Sequence, residues 1–506
     1  MSVESDPLRT EERQSIGMRE IPEALTYDDV LLVPGRSNVL PSEVTTASRI
    51  TPHITLNAPL ISAAMDTVTE ARMAISLARA GGMGVIHRNL PIEDQALEVD
   101  KVKRSQSGMI VDPVTLPPTA TLRQANEMMG RYRISGVPIT NEHGHLVGIL
   151  TNRDLRFCRD DTNRVADLMT TKNLVTAPVG TTLAQAEQML HAHRIEKLPV
   201  VDANGQLRGL ITVKDIAKRE EFPEAVYDKS GRLIVAGAVG THDEGLPRAR
   251  ELVAAGVDAV VVDSAHGHHS AVAATVSQIK EALNVDVIAG NVGTAAGASS
   301  LIQAGADSVK VGIGPAAICT TRIVAGVGVP QLTAITDCLG PCSEHGVPLI
   351  ADGGIRYSGD IAKAIAAGAA AVMIGNMFAG TDDSPGEIVY RHGERFKEYR
   401  GMGSLGAMME RDGRSRDRYG QHQVGDAAKL VAEGVEAETP YRGPTSNMMA
   451  QLVGGLRSAM GYVGAAEIHE LQTKARFVRI SHASIDEGHV HDVVLVKEAP
   501  NYRAPR

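Results

Sequence analysis

Apolar runs of five to seven residues recur along this chain, and most end in polar or glycine-rich turns. They predict strands at Pro59–Ala64, Met83–His87, Leu233–Ala238, Asp258–Asp263, Val285–Asn291, Ser308–Ile313, Pro348–Asp352 and Ala370–Gly375. Between most of them the period lengthens to that of a helix, over Thr69–Ala80, Leu90–Ser105, Glu244–Ala255, His269–Leu283, Ala296–Ala304 and Gly359–Ala367. Runs apolar on both faces, alternating with amphipathic segments, are the mark of βα units around a parallel sheet. Eight strands of this kind read as an α/β fold, a (βα)8 or TIM barrel. A doubly wound open sheet is the competing reading. It wants a GxGxxG turn after its first strand, and none follows Ala64.

The strand count closes only if residues 106–230 lie outside the barrel. That stretch repeats itself. Arg133-Ile-Ser-Gly-Val-Pro-Ile-Thr140 returns as Arg194-Ile-Glu-Lys-Leu-Pro-Val-Val201, and Gly148-Ile-Leu-Thr-Asn-Arg-Asp154 as Gly209-Leu-Ile-Thr-Val-Lys-Asp215. Two copies at one offset predict a pseudo-symmetric pair, about 108–165 and 166–225, packed as one inserted module. The barrel then comprises 22–105 and 231–506, and residues 1–21, polar and charged, form an N-terminal arm. A flap is expected at about 400–445. Its centre, Glu410–Gln423, carries no core-forming face and reads as a loop, mobile or disordered. A helix follows at Ser446–Met460.

Composition narrows the partners. A net charge of −9 with 3% aromatic residues argues against a nucleic-acid surface. No apolar run approaches the ~20 residues of a membrane span, and no signal peptide precedes the first strand. Four cysteines (Cys158, Cys319, Cys338 and Cys342) show neither zinc spacing nor a disulfide framework. A reducing, cytoplasmic setting is expected.

The strand ends carry the chemistry. They read Asp263-Ser264, Gly290-Asn291, a Gly312–Cys319 loop, Asp352-Gly353-Gly354 and Gly375-Asn376. In a barrel these converge on one rim, where glycine turns after the last two strands can approach a phosphate. A thiol on such a loop is either a nucleophile or an inert small apolar group. Asp352 suits a ribose diol or, equally, a helix N-terminus.

Several segments together resemble the inosine-5′-monophosphate (IMP) dehydrogenases and the related GMP reductases. They are Leu25-Thr-Tyr-Asp-Asp-Val-Leu-Leu32, Met65-Asp-Thr-Val68, Gly81–Asn89, Ile318-Cys-Thr-Thr-Arg322, Ala351-Asp-Gly-Gly354 and Tyr399-Arg-Gly-Met-Gly-Ser404. The insert is similar to a tandem cystathionine-β-synthase (CBS) pair, which implies ATP or GTP binding with Asp154 and Asp215 near ribose. The dehydrogenase resemblance implies attack by Cys319 on C2 of IMP, hydride transfer to NAD near Asp263, Ser264, Gly312 and Gly314, and a covalent thioimidate. Arg418 and Tyr419 on the closed flap would then activate water, with Thr321 and Glu433 as proton relay. It assigns substrate contacts to Met65, Asn291, Ala317, Asp352, Gly353, Gly354, Gly375, Asn376, Tyr399, Gly401, Met402, Gly403 and Glu433. It implies a potassium ion on main-chain carbonyls of Gly312 or Gly314, Ala316, Cys319 and, from a neighbouring subunit, Glu487, Gly488 and His489. A homotetramer follows. Without the resemblance, Arg418 reads as a solvated loop charge.

Five positions depart from the family pattern, two of them, Gly488 and Val490 for Ser and Pro, in the C-terminal Glu487–His491 segment. Ala316-Ala317 replaces Gly-Ser in the cysteine loop, and Asn376 replaces Ser after the eighth strand. Two phosphate-contacting hydroxyls are thus missing, each worth roughly 1.5–3 kcal/mol. An alanine at a left-handed position would add strain of about 1–2 kcal/mol. Weakened IMP binding is the expectation unless Asn376 or backbone amides replace the lost donors. A GMP-reductase-type reaction, a second-copy enzyme with altered substrate or inhibitor response, and a non-catalytic, nucleotide-sensing role are the alternatives.

Overall fold

The computed structural model describes residues 21–502, apart from 106–109, 112, 133, 157, 159, 410, 422, 425 and 498 and the side chains of 111, 215, 218, 219, 411–414 and 427. The expected arm therefore lies, but for Ile21, outside the described residues.

Eight parallel strands close into a barrel. In chain order they are β1 (Leu60–Ser62), β2 (Met83–Ile86), β3 (Ala236–Val239), β4 (Ala259–Asp263), β5 (Asp286–Val292), β6 (Ser308–Val311), β7 (Leu349–Asp352) and β8 (Ala371–Ile374). Closure is made by β8 pairing with β1 in register Val372–Leu60, and by β1 pairing with β2. The strands are Val/Ile/Ala-rich because both faces are covered, one by the barrel interior and one by helices. Val260, Val261 and Val262 of β4 are all buried.

The helices are α1 (Ala71–Arg79), α2 (Ile92–Ser105), α3 (Gly245–Ala254), α4 (Ser270–Ala282), α5 (Ala295–Gln303), α6 (Gln331–His345), α7 (Ser358–Ala366) and α8 (Thr445–Val463). Each presents an apolar face to the barrel; α1, for instance, buries Met73, Ala74, Leu77 and Ala78. Thr294 starts α5 by accepting the Gly297 amide at 3.3 Å. The sequence pattern contains no expectation of α6. Gly340-Pro341 lies inside it, a pair that normally argues against a helix interior. Burial of Leu332, Ala334, Ile335, Cys338 and Cys342 along one face outweighs that local cost.

Between α2 and β3 the chain leaves the barrel and makes two similar units. Gly136–Thr140 pairs with Leu146–Thr151, and Lys197–Val201 with Leu207–Thr212. The hairpin tips are joined reciprocally: Leu146 N donates to Gly205 O and Leu207 N to Gly144 O, both at 3.1 Å. The two hairpins thus exchange one bond each way. At the root of the insert, buried Lys103 of α2 donates to Asp228 at 3.1 Å, Asp258 at 2.6 Å and Leu233 O at 2.9 Å.

Candidate active site

The cysteine loop follows β6. Gly312 and Gly314 carry its left-handed turns, with φ of 153° and 77°. A Cβ at Gly312 would come within 2.0 Å of Asp352 O, so the loop packs directly on β7. Ala316 and Ala317 do not adopt positive φ, so the strain expected at this loop is not present. Cys319 Sγ lies 3.1 Å from Thr321 Oγ1.

Three stretches of backbone meet beneath Cys319. Glu433 N donates to Gly403 O at 3.0 Å, and Gly401 N to Val435 O at 2.9 Å. Thr320 N donates to Glu433 O at 2.9 Å, and Val435 N to Ile318 O at 3.2 Å. The crossing is tight and favours glycine: a Cβ on Gly434 would meet Ser404 N at 3.2 Å, and one on Gly403 would meet the Tyr419 ring at 2.6 Å. The root of this ladder is fixed by Arg400, whose guanidinium grips Asp66 at 2.6 and 3.1 Å. That pair, with Asn89 donating at 2.8 Å, holds the Asp66 carboxyl below its ordinary range even though burial pushes the other way.

The segment expected as a loop, residues 411–419, is a 3-10 helix. It seats Ser415, Arg416, Arg418 and Tyr419 against the barrel rather than in solvent. Ser415 Oγ bonds to Met402 O, Arg416 Nε to Met408 O at 2.8 Å, and Ala265 N to Arg418 O at 3.1 Å. Arg418 forms an ion pair with Asp263 at the end of β4. Burial pushes the Arg418 guanidinium below its usual range, Tyr419 opposes this, and the neighbouring Arg88 cation adds to it. Burial likewise raises the Tyr419 hydroxyl, against the pull of Arg418. The pattern of the flap hides this, because what buries its charges is the rim of the barrel and not its own face.

Cys319, Thr321, Asp263, Arg418, Tyr419 and Glu433 line one cavity of about 110 Å³, together with Met65, Asn291, Gly312, Gly314, Asp352, Gly401 and Met402. At its floor Lys310, only 1% exposed, joins three of them. Its ammonium donates to Asp263 at 3.0 Å, to Asp352 at 2.7 Å and to Asn291 Oδ1. Asn291 Nδ2 completes the net to Asp352 at 3.0 Å and to Gly312 O at 2.8 Å. Sequence reasoning missed Lys310, although a lone charge inside an apolar strand is a signal in itself. Ser264 stands just outside; its amide and carbonyl are bonded to Gly290 O and Asn291 N.

The cavity opens, past Pro315, Ala316 and Met373, into a cleft of about 940 Å³. Ala317, Gly353, Gly354, Gly375, Asn376 and Tyr399 line this second space. Gly353 and Gly354 are consecutive left-handed residues, with φ of 95° and 83°. The Asn376 carbonyl accepts from Thr439 Oγ1 at 2.5 Å, which leaves the amide nitrogen as the remaining donor of that side chain. Arg322, Arg356, Arg395 and Arg442 add positive charge around the cleft. The chain's Ala499–Tyr502 segment forms one wall. Beside it His489 contacts Tyr502, with Nδ1 3.2 Å from the phenol oxygen, and its ring lies 5.8 Å from that of Tyr357. Glu487 and Gly488 end the preceding helical turn, His482–Gly488.

In the insert, Asp154 lines a cavity of about 600 Å³ with Arg153, Arg156, Lys197 and Thr151. Its carboxylate also accepts from the Thr151 amide and hydroxyl at 2.7 Å, so it caps its own helix. Asp215 sits on the helix Val213–Glu221, and its side chain is outside the described residues.

A parallel α/β barrel with a thiol, an arginine–tyrosine pair and a carboxylate at one mouth has the architecture of a barrel enzyme. A family model described as "IMP dehydrogenase / GMP reductase domain" matches residues 24–491. The chain is 58% identical over 487 residues to the inosine-5′-monophosphate dehydrogenase of Aquifex aeolicus, covering 96% of this chain and 98% of that one. To the enzyme of the same name from Helicobacter pylori it is 54% identical over 485 residues, covering 96% and 100%. Among solved structures, a cysteine-to-alanine GMP reductase from Trypanosoma brucei in complex with guanosine 5′-monophosphate superposes with a TM-score of 0.83 at 40% identity, covering 94% of this chain and 99% of that one. The chain belongs to the IMP dehydrogenase / GMP reductase family.

Proposed function

We propose that this protein oxidises IMP to XMP with NAD, through a covalent bond at Cys319, in the synthesis of guanine nucleotides. The observation that carries this reading is the meeting of Cys319, Thr321, Glu433, Arg418 and Tyr419 around one cavity beside Asp263. The purine is to lie over Cys319, its ribose on Asp352, and its phosphate in the wider cleft by Gly354, Gly375 and Asn376. Asn376 and the glycine amides replace the two missing hydroxyls there. The Cys319 thiolate adds to C2, C2 loses hydride, and a thioimidate remains. Water then adds to C2 and the thiolate departs.

The dinucleotide supplies only the acceptor for that hydride. The β4 end fits its ribose, because Asp263 is a carboxylate at the barrel mouth with Ser264 and the loop glycines nearby. Arg418 holds that same carboxylate when the flap is shut. Oxidation and hydrolysis therefore use the spot in turn. Arg418, depressed by burial and beside Tyr419, is the residue to draw a proton from water. Thr321 and Glu433 relay protons. A potassium ion suits main-chain carbonyls of the cysteine loop. The Gly312 carbonyl already accepts from Asn291, so that of Gly314 is the better donor.

The Arg418–Tyr419 pair also weighs against a GMP-reductase reaction, which needs no water-activating group. Turnover assays separate the two. NADH and XMP are expected from IMP and NAD, with stimulation by potassium and loss in Cys319→Ala. Absence of NADH at millimolar IMP, or ammonia release from GMP with NADPH, overturns the assignment.

For the insert we propose a CBS pair that binds ATP or GTP. The Asp154 cavity, ringed by Arg153, Arg156 and Lys197, has room and charge for a polyphosphate; Asp215 is the matching position of the second copy. A cytoplasmic homotetramer is the accompanying reading, and among the described residues no helix is long and apolar enough to cross a membrane.

A further inference from the structure

Asp417 stands one residue before Arg418 and meets the turns after β2 and β3. Arg88 NH1 lies 3.5 Å from its Oδ2, the Thr241 amide donates to Oδ2 at 3.4 Å, and His242 Nε2 is 3.9 Å from Oδ1. Arg88 is buried, and both partners of the Arg88–Asp417 pair are shielded from water, at 6% and 19% side-chain exposure. The receptor is shaped for this carboxylate. A Cβ at Gly240 would come within 2.7 Å of the Arg88 guanidinium and 2.8 Å of Asp417 Oδ2. His242 holds a left-handed backbone, φ 61°, which a non-glycine residue adopts rarely.

The charges alternate in space. Arg88 and Arg418 are neighbouring cations that repel, and each has its own carboxylate, Asp417 and Asp263. These three contacts of Asp417 are longer than the 2.7–2.9 Å of a strong charge-assisted bond. Several modest contacts suit a segment that must leave and return in every cycle.

We propose that Asp417 is a latch: a positioning residue whose carboxylate, received by Arg88, Thr241 and His242 over Gly240, holds the flap shut with Arg418 and Tyr419 at the Cys319 cavity. That the flap opens and closes in each cycle, and what closure achieves chemically, rest on the reading above; the seating of Asp417 on Arg88, Thr241 and His242 does not.

The test uses full-length wild type, Asp417→Asn and Gly240→Ala. The second variant crowds the receptor without removing a charge. Trypsin cleavage after Arg416 and Arg418, followed by mass spectrometry, reports opening without any need for activity. Both variants are expected to be cut about tenfold faster, with thermal melts near that of wild type. An unchanged cutting rate in both overturns the latch. In rapid-mixing experiments with IMP and NAD, the NADH burst is expected to persist while hydrolysis slows about tenfold and the Cys319 adduct accumulates. Equal slowing of burst and hydrolysis overturns the positioning role. If wild type itself forms no NADH, the functional reading falls and the cutting rates alone decide the latch.

Discussion

The ammonium of Lys310 stands 2.7 Å from the carboxylate of Asp352, at the base of the cavity that holds Cys319. The same ammonium reaches Asp263 at 3.0 Å, so one buried cation spans the two carboxylates assigned to substrate and dinucleotide riboses. Removing one partner of a buried charge pair costs about 3–5 kcal/mol. Lys310→Met is expected to lower the urea midpoint and to raise KM for IMP and NAD together. A rise for only one ligand would show that Lys310 does not couple the two carboxylates.

Asn376 is expected to be the phosphate donor that replaces the missing serines. Loss of a hydrogen bond to a charged group costs roughly 1.5–3 kcal/mol, about 10- to 150-fold in affinity. Asn376→Ala should raise KM for IMP by that factor with kcat changed only a few-fold. An unaltered KM would move the phosphate elsewhere in the cleft.

Burial pushes the Cys338 and Cys342 thiols up to about 12, so almost no thiolate exists on them at neutral pH. Iodoacetamide on the folded protein should therefore modify Cys319 and Cys158, both only partly buried, and spare the α6 pair. Alkylation of Cys338 at a rate matching Cys319 would mean that α6 opens readily.

Asp66 contributes a pH signature. Its carboxyl is held low in the folded state, so its stabilisation is complete above its ordinary value of 3.8 and fades as pH falls through the folded value below that. Asp66→Asn leaves Arg400 without its anion and should cost about 2–3 kcal/mol at pH 7. The gap from wild type should close below about pH 4. A gap constant down to the acid transition would assign the loss to packing.

The barrel was legible because its strands are apolar on both faces and its turns are glycine-rich; β4 and β5 are unmistakable in Asp258–Asp263 and Val285–Asn291. The helix α6 was not, since Pro341 argues locally against what Ile335, Cys338 and Cys342 achieve by burial. Cys319, Asp352 and Asp263 were found as strand-end residues. Lys310 lies inside a strand, where a search of loops does not look. Arg88 and Asp417 meet only in three dimensions, across 329 positions of chain, and neither motif hints at the other.

Lys103 receives the chain where it departs from the barrel and again, through Asp228, where it comes back. The two crossings are thus neighbours. Phe222, Glu224 and Val226 add contacts to Arg79, Asn57 and Ala78 on the returning side, and a short turn is expected to rejoin the barrel if the residues before them are excised. Such a shortened protein is expected to keep its closed ring of strands, so that any response it loses belongs to the excised part.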